Sequence, residues 1–140
     1  MRVAVIDGQG GGIGKSITEK IKREFGENIE IIALGTNALA AFRMLKAGAN
    51  EVASGENAIC VTVKDVDIIM GPISIIVANS MLGELTPKMA QAICEARAQK
   101  VLMPLNKLGM HIVGLSNEPL PHLIDMMVTK VRELYGKRSV

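Results

Sequence analysis

The run Val3-Ala4-Val5-Ile6-Asp7, followed at once by Gly8-Gln9-Gly10-Gly11-Gly12-Ile13-Gly14-Lys15-Ser16, limits the folds open to this chain more than any other segment. Val3 to Ile6 are apolar without alternation, so they read as a strand covered on both faces, the place of a central strand in a parallel sheet. Beyond the glycines, Ile13, Ile17, Ile21 and Phe25 recur every four residues among Lys15, Glu19, Lys20, Lys22, Arg23 and Glu24. That spacing predicts an amphipathic helix ending near Gly26. A doubly buried strand that turns through glycine into a helix opens an α/β unit, and it speaks against all-β and all-helical architectures.

The alternation continues. Ile29 to Leu34, closed by Gly35, predicts a second strand, and Thr36 or Asn37 can cap a second helix with Leu39, Phe42, Leu45 and Ala49 as its apolar stripe. Glu51 to Ala53 reads as a short strand. Glu56 to Val63 stays open between helix and strand, because Val61, Thr62 and Val63 work against a helical turn capped by Ser54. Val66 to Met70 reads as a buried strand broken by Gly71-Pro72. Ile73 to Leu82 is apolar nearly all round and reads as a helix buried in the core or against a second copy, giving a homodimer. Thr86-Pro87 starts a helix carrying Met89, Ala90, Ile93 and Cys94 on one face. Val101 to Leu105 and Met110 to Leu115 read as an antiparallel edge hairpin around Asn106-Lys107-Leu108-Gly109. Pro119 or Pro121 opens a last helix with Leu123, Met127, Val131 and Leu134 in one stripe. The expectation is one domain over residues 1–140, of α/β class: a three-layer Rossmann-like sandwich on a mainly parallel sheet with an antiparallel edge hairpin.

The chemistry concentrates in the loop after the first strand. Free N–H groups at a helix N-terminus, together with the helix dipole, attract an anion, and glycine lets a phosphate approach backbone that carries no Cβ. A turn that merely needs positive φ requires one or two glycines; Gly8, Gly10, Gly11, Gly12 and Gly14 make five. Gly8, Gln9, Gly10, Gly11, Gly12, Ile13, Gly14, Lys15 and Ser16 are therefore the candidate phosphate-binding residues, with Thr36 and Asn37 at the end of the second strand. A phosphate-loop NTPase pattern, G-x-x-x-x-G-K-[ST], fits Gly14-Lys15-Ser16 but meets Gln9 where its first glycine belongs. Asp7 either shapes the turn by accepting its N–H groups or serves as a base or Mg²⁺ ligand; Asn106 at a strand end and Asn79 inside the apolar segment after Gly71-Pro72 are further catalytic candidates.

Gly8-x-x-x-Gly12-Ile13-Gly14 resembles the G-x-x-x-G-I-G turn of short-chain dehydrogenases/reductases. The resemblance implies that Gly8 makes the turn, Gly12 lines a pyrophosphate and Gly14 lets the helix pack closely, with Lys15 placed for a ribose 2′-phosphate as in NADP-preferring members. The second strand ends Leu34-Gly35-Thr36-Asn37 without an acid for a ribose 2′-OH, so NADP or another nucleotide phosphate fits better than NAD. The family's Tyr-x-x-x-Lys is absent, since Tyr135 has Lys137 two positions on. Across most of its length, in Val5 to Ser16, Ala33 to Ala38, Gly55 to Ala58 and Ala78 to Pro87, the chain resembles a family of short bacterial Rossmann-like proteins known only as a domain of unknown function. That resemblance implies the fold and assigns no activity.

Composition narrows the partners. Lys+Arg 16 against Asp+Glu 14 leaves no basic patch for nucleic acid, and 2% aromatic residues leave no stacking platform. Cys60 and Cys94 lack ligand spacing and read as small buried hydrophobes; His111 and His122 read as structural. No apolar segment is long enough for a membrane span or a signal-peptide core, so a cytoplasmic protein is expected. Three functions follow: a module binding a small phosphorylated ligand such as a nucleotide or dinucleotide phosphate; a small enzyme acting on a phosphorylated metabolite or nucleotide, including a degenerate phosphate-loop NTPase; or a non-catalytic assembly protein with a vestigial glycine loop.

Overall fold

A computed structural model of the chain describes residues 1–104 and 108–139. Five strands form one sheet in the order β3-β2-β1-β4-β5, with β1 Arg2–Asp7, β2 Glu30–Gly35, β3 Glu51–Ser54, β4 Ile68–Pro72 and β5 Gln99–Met103. Every pairing is parallel. The helices are α1 Gly12–Phe25, α2 Ala38–Lys46, α3 Glu56–Thr62, α4 Pro87–Glu95 and α5 Leu120–Ser139. Val3 and Val5 of β1 pack with α1 and α5, whereas Ala4 and Ile6 face α3 and α4. The unbroken apolar run of β1 thus feeds two cores, which is why it shows no alternation.

The antiparallel hairpin is not formed. β5 is a parallel edge strand, and Met110 to Leu115 has no strand structure and is exposed, with Val113 98% accessible. Alternating apolar residues look the same in a sheet and in any extended segment, and glycines 109 and 114, both at positive φ, bend this one. Asn106 and Lys107 of the expected turn lie outside the described residues. Nor is Ile73 to Leu82 a helix: single 3₁₀ turns at Ile73–Ile76 and Met81–Gly83 flank an irregular stretch in which Asn79, Met81 and Leu82 all have positive φ. Ile75 is fully buried and Leu82 almost wholly exposed, so the segment is split between core and solvent.

Two further differences bear on the site. β4 runs on through Gly71-Pro72, because Pro72 is its last residue, and a Cβ on Gly71 would overlap the Ile6 carbonyl of β1. In α2 the buried face is Ala40, Ala41 and Met44; Leu39 and Phe42 of the expected stripe are half exposed. Small residues bring α2 down onto Gly11 and Gly35, whose Cβ positions lie within 3 Å of Ala40 Cα and the Ala41 backbone. Cys94 is exposed on α4, and Cys60 is half-buried on α3, with its Sγ 3.8 Å from the Lys88 carbonyl of α4. His111 and His122 are exposed.

Candidate functional site

In an open parallel sheet a ligand binds outside the carboxyl ends of the strands, where the chain order reverses. Here β1 leads outward to β2 and β3 on one side and has β4 on the other, so the switch point is the end of β1, at Asp7.

The chain turns there immediately. Gly11 N–H donates to the Gly8 carbonyl at 2.9 Å, with Gly11 at φ 70°, a conformation that disfavours any side chain. Asp7 is only 5% exposed, and both of its carboxylate oxygens are engaged: Oδ1 accepts from Gly8 N–H at 2.8 Å and Oδ2 from Gly14 N–H at 2.7 Å. It ties the strand end to the first turn of α1. Burial pushes the Asp7 carboxyl above the usual carboxylate range, and the Gly14 and Gly8 N–H groups pull it back.

The turn is held from the side by β2 and α2. Thr36 N–H donates to the Asp7 carbonyl at 3.0 Å. Asn37 caps α2, its Oδ1 accepting from Ala40 N–H at 2.9 Å, while its Nδ2 donates to the Gln9 carbonyl at 3.0 Å. Arg43 Nη1 reaches the Gly10 carbonyl at 2.6 Å.

Sequence reasoning missed one member altogether. Glu84, in the connection between β4 and α4, places Oε1 where it accepts from Gln9 N–H at 2.9 Å, from the Thr36 hydroxyl at 2.7 Å and from Asn37 Nδ2 at 2.7 Å. The Thr36 hydroxyl, and after it the Gln9 N–H and the Asn37 amide, hold this carboxyl below the usual range against a burial effect of opposite sign. Oε2 accepts nothing from the described residues. No local spacing announces Glu84, which lies 75 residues from Gln9.

The glycines divide by what requires them. A Cβ on Gly8 would overlap Thr36 Oγ1 and Met81 Sδ; on Gly14 it would stand 2.8 Å from Asp7 Cβ; on Gly11, 2.8 Å from Ala40 Cα. On Gly12 it would meet nothing within 4 Å. The N–H groups of Gly10 and Gly12 donate to no described residue. Beside them Gly12, Lys15, Glu19, Arg43, Lys46 and Ala47 line an open groove of about 610 Å³ between α1 and α2.

The remaining candidates are dispersed. Ser16 lies on the other side of α1, in a groove with Lys20, Leu120 and Asp125, so Lys15 and Ser16 do not converge on one guest. Asn79 is exposed, and its backbone is tied to Leu85 and Gly83 within its own connection. Asn106 lies outside the described residues. Among the described residues no group of three or more His, Cys, Asp or Glu side chains gathers as a metal site, and both Asp7 oxygens already accept N–H groups of the turn. No described helix is long and apolar enough to cross a membrane.

No curated protein matches the chain. Among solved structures it is similar to a dodecameric FMN-dependent UbiX-like decarboxylase from Escherichia coli O157:H7, with a TM-score of 0.56 and 12% identity over 97% of this chain and 95% of that one. At that identity the likeness establishes the Rossmann-like fold. Residues 2–136 match a family model, and the chain belongs to that family, the Domain of unknown function (DUF3842).

Proposed function

We propose that this domain binds the phosphate of a nucleotide-type ligand on the turn between β1 and α1, with the Gly10 and Gly12 N–H groups as donors and Lys15 and Arg43 as counter-charge. Gly12 carries the reading. The protein's own packing requires Gly8, Gly11 and Gly14, but nothing in it requires Gly12, which begins α1 with an unengaged N–H and open space where its Cβ would stand. A phosphate oxygen seated on that N–H would need the space, and the helix dipole and nearby cations favour it. Thr36 and Asn37 take part through the Glu84 carboxylate they hold. NADP and FMN, the latter named as the cofactor of the fold neighbour, are both phosphate esters of the class proposed. Asp7 is the acceptor that shapes the turn, one oxygen accepting from Gly8 and the other from Gly14.

Half-exposed Leu39 and Phe42, one turn apart on α2, favour a second reading in which copies of the chain associate through this face. The fold neighbour is a dodecamer. Light scattering on wild type and Phe42→Glu tests it, a monomer in both being the contrary result.

Melting temperature measured with phosphate, AMP, ATP, NADPH and FMN tests the main reading. A ligand at a hundred times its Kd adds about 2.7 kcal/mol to the folded state. At least one compound raises Tm in the wild type and fails to do so in Gly12→Val, whose unliganded Tm stays near that of the wild type. No shift with any compound, or equal shifts in the variant, refutes the reading.

A further inference from the structure

Asp7 and Glu84 both accept N–H groups of the glycine turn, yet they do so differently. Asp7 spreads its bonds over both oxygens, as a purely structural acceptor does. Glu84 loads all three donors, Gln9 N–H, Thr36 Oγ1 and Asn37 Nδ2, onto Oε1 and keeps Oε2 unused by the described residues. Three donors fix the orientation of the carboxylate, and Glu84 is half-buried with its second oxygen unused, so that oxygen keeps acceptor capacity for a guest. A carboxylate oxygen is an acceptor only, so the complementary guest group is a hydroxyl or an N–H.

Position selects between them. Gln9 N–H is on Glu84, and Gly10, whose N–H is unengaged, is the next residue, so the carboxylate and the first of the proposed phosphate donors sit one residue apart along the turn, with about 3.8 Å between successive Cα atoms. That is the scale of one pentose phosphate. We infer that Glu84 Oε2 accepts the hydroxyls of a sugar phosphate whose phosphate rests on Gly10 and Gly12; this rests on the phosphate reading above. β2 supplies no acid of its own at Leu34-Gly35-Thr36-Asn37, and the connection between β4 and α4 brings one to the same place. The fixed negative charge also repels a phosphate esterified to those hydroxyls. The ligand therefore carries free hydroxyls, either on a nucleotide ribose or on the ribityl chain of a flavin, and a 2′-phosphate such as that of NADP is disfavoured.

Calorimetric titration of the wild type and Glu84→Gln with inorganic phosphate, AMP, 2′-deoxy-AMP, adenosine 2′,5′-bisphosphate and FMN tests this. Gln keeps an oxygen for the three donors and removes the charge; circular dichroism and Tm check its fold. A hydrogen bond to a charged group corresponds to about tenfold or more in affinity. For a ribose ligand, the wild type binds AMP about tenfold more tightly than 2′-deoxy-AMP or the bisphosphate, a comparison that needs no variant. For a ribityl ligand, FMN takes the place of AMP. In Glu84→Gln the preferred ligand weakens about tenfold while inorganic phosphate does not weaken, and the bisphosphate penalty shrinks. If phosphate binds but hydroxyls add nothing in either protein, the inference fails and the phosphate reading stands. If Glu84→Gln binds every compound more tightly, phosphate included, Glu84 occupies the phosphate position and the inference is overturned. If nothing binds the wild type, the phosphate reading itself falls.

Discussion

Gly12 and Gly14 belong to one short motif yet face opposite packing, and alanine at each separates the two. A Cβ at Gly14 would stand 2.6 Å from Met44 Sδ, 2.8 Å from Asp7 Cβ and 3.2 Å from Asp7 Oδ2. Met44 is unbranched and can swing aside, but Asp7 Cβ belongs to the central strand and cannot. Helix α1 must withdraw until that contact is relieved, stretching the 2.7 Å bond from Gly14 N–H to Asp7. Overpacking of this kind costs about 1–3 kcal/mol, and weakening a hydrogen bond to a charged group about 1–2 kcal/mol more. Alanine's helix propensity returns about 1 kcal/mol, leaving a net loss of about 1–4 kcal/mol. For 140 residues, 1 kcal/mol moves Tm by about 3 °C, so Gly14→Ala should melt about 3–12 °C below wild type. Gly12→Ala meets nothing and should match wild type or exceed it by about 1–3 °C. Differential scanning calorimetry on the three proteins decides. Equal Tm for the two variants would refute the assignment of Gly14 to packing and Gly12 to a guest.

Thr86 caps α4, its Oγ1 accepting from Met89 N–H at 3.1 Å and donating to Glu56 Oε2 at 2.5 Å, so Thr86→Ala should cost about 1–2 kcal/mol in urea unfolding while Thr86→Ser retains most of it. Asp7→Asn offers one acceptor oxygen to two N–H groups and should cost about 2 kcal/mol at neutral pH even though a buried charge is removed; a gain in stability would contradict the turn-shaping role. The two carboxyls act oppositely in acid. Asp7, raised above 3.8, contributes stability below that value which is lost as pH rises through its folded pKa, and Asp7→Asn should abolish that decline. Glu84, lowered below 4.5, contributes above its unfolded pKa and loses the contribution as pH falls through its folded value, so the stability gap between wild type and Glu84→Gln should close on acidification.

What the chain disclosed about itself followed period and capping. Ile17, Ile21 and Phe25 face the core as their spacing required, and Asn37 and Thr86 cap where their side chains allow. Ile73 to Leu82 was opaque because apolar composition without a period cannot distinguish a helix from an irregular segment half embedded in the core. In α2 the large residues Leu39 and Phe42 masked the true contact face, since Ala40 and Ala41 matter through closeness of approach, which hydropathy does not register. For the site, the glycines and Asp7 were legible as a turn at the carboxyl end of a buried strand. Glu84 was not, because its role is set by a connection that folds back across the switch point, and its neighbours Met81, Leu82 and Gly83 carry no pattern that points to Gln9.

A glycine turn at a switch point does not by itself cradle a chain of phosphates; what matters is which N–H groups the protein has already used. From Gly8 to Gly14, Asp7 takes Gly8 and Gly14 and holds the nearby Ile13 N–H in its field, Glu84 takes Gln9, and the Gly8 carbonyl takes Gly11. Gly10 and Gly12 are left. Two N–H groups with Lys15 and Arg43 beside them can hold one terminal phosphate, whereas a di- or triphosphate needs the successive amides that this turn spends internally. AMP should therefore bind at least as tightly as ADP or ATP at constant ionic strength. An affinity climbing about tenfold with each added phosphate, beyond what screening of the added charge allows, would mean that Asp7 and Glu84 release their amides to the guest, and that the turn seen here is its closed form.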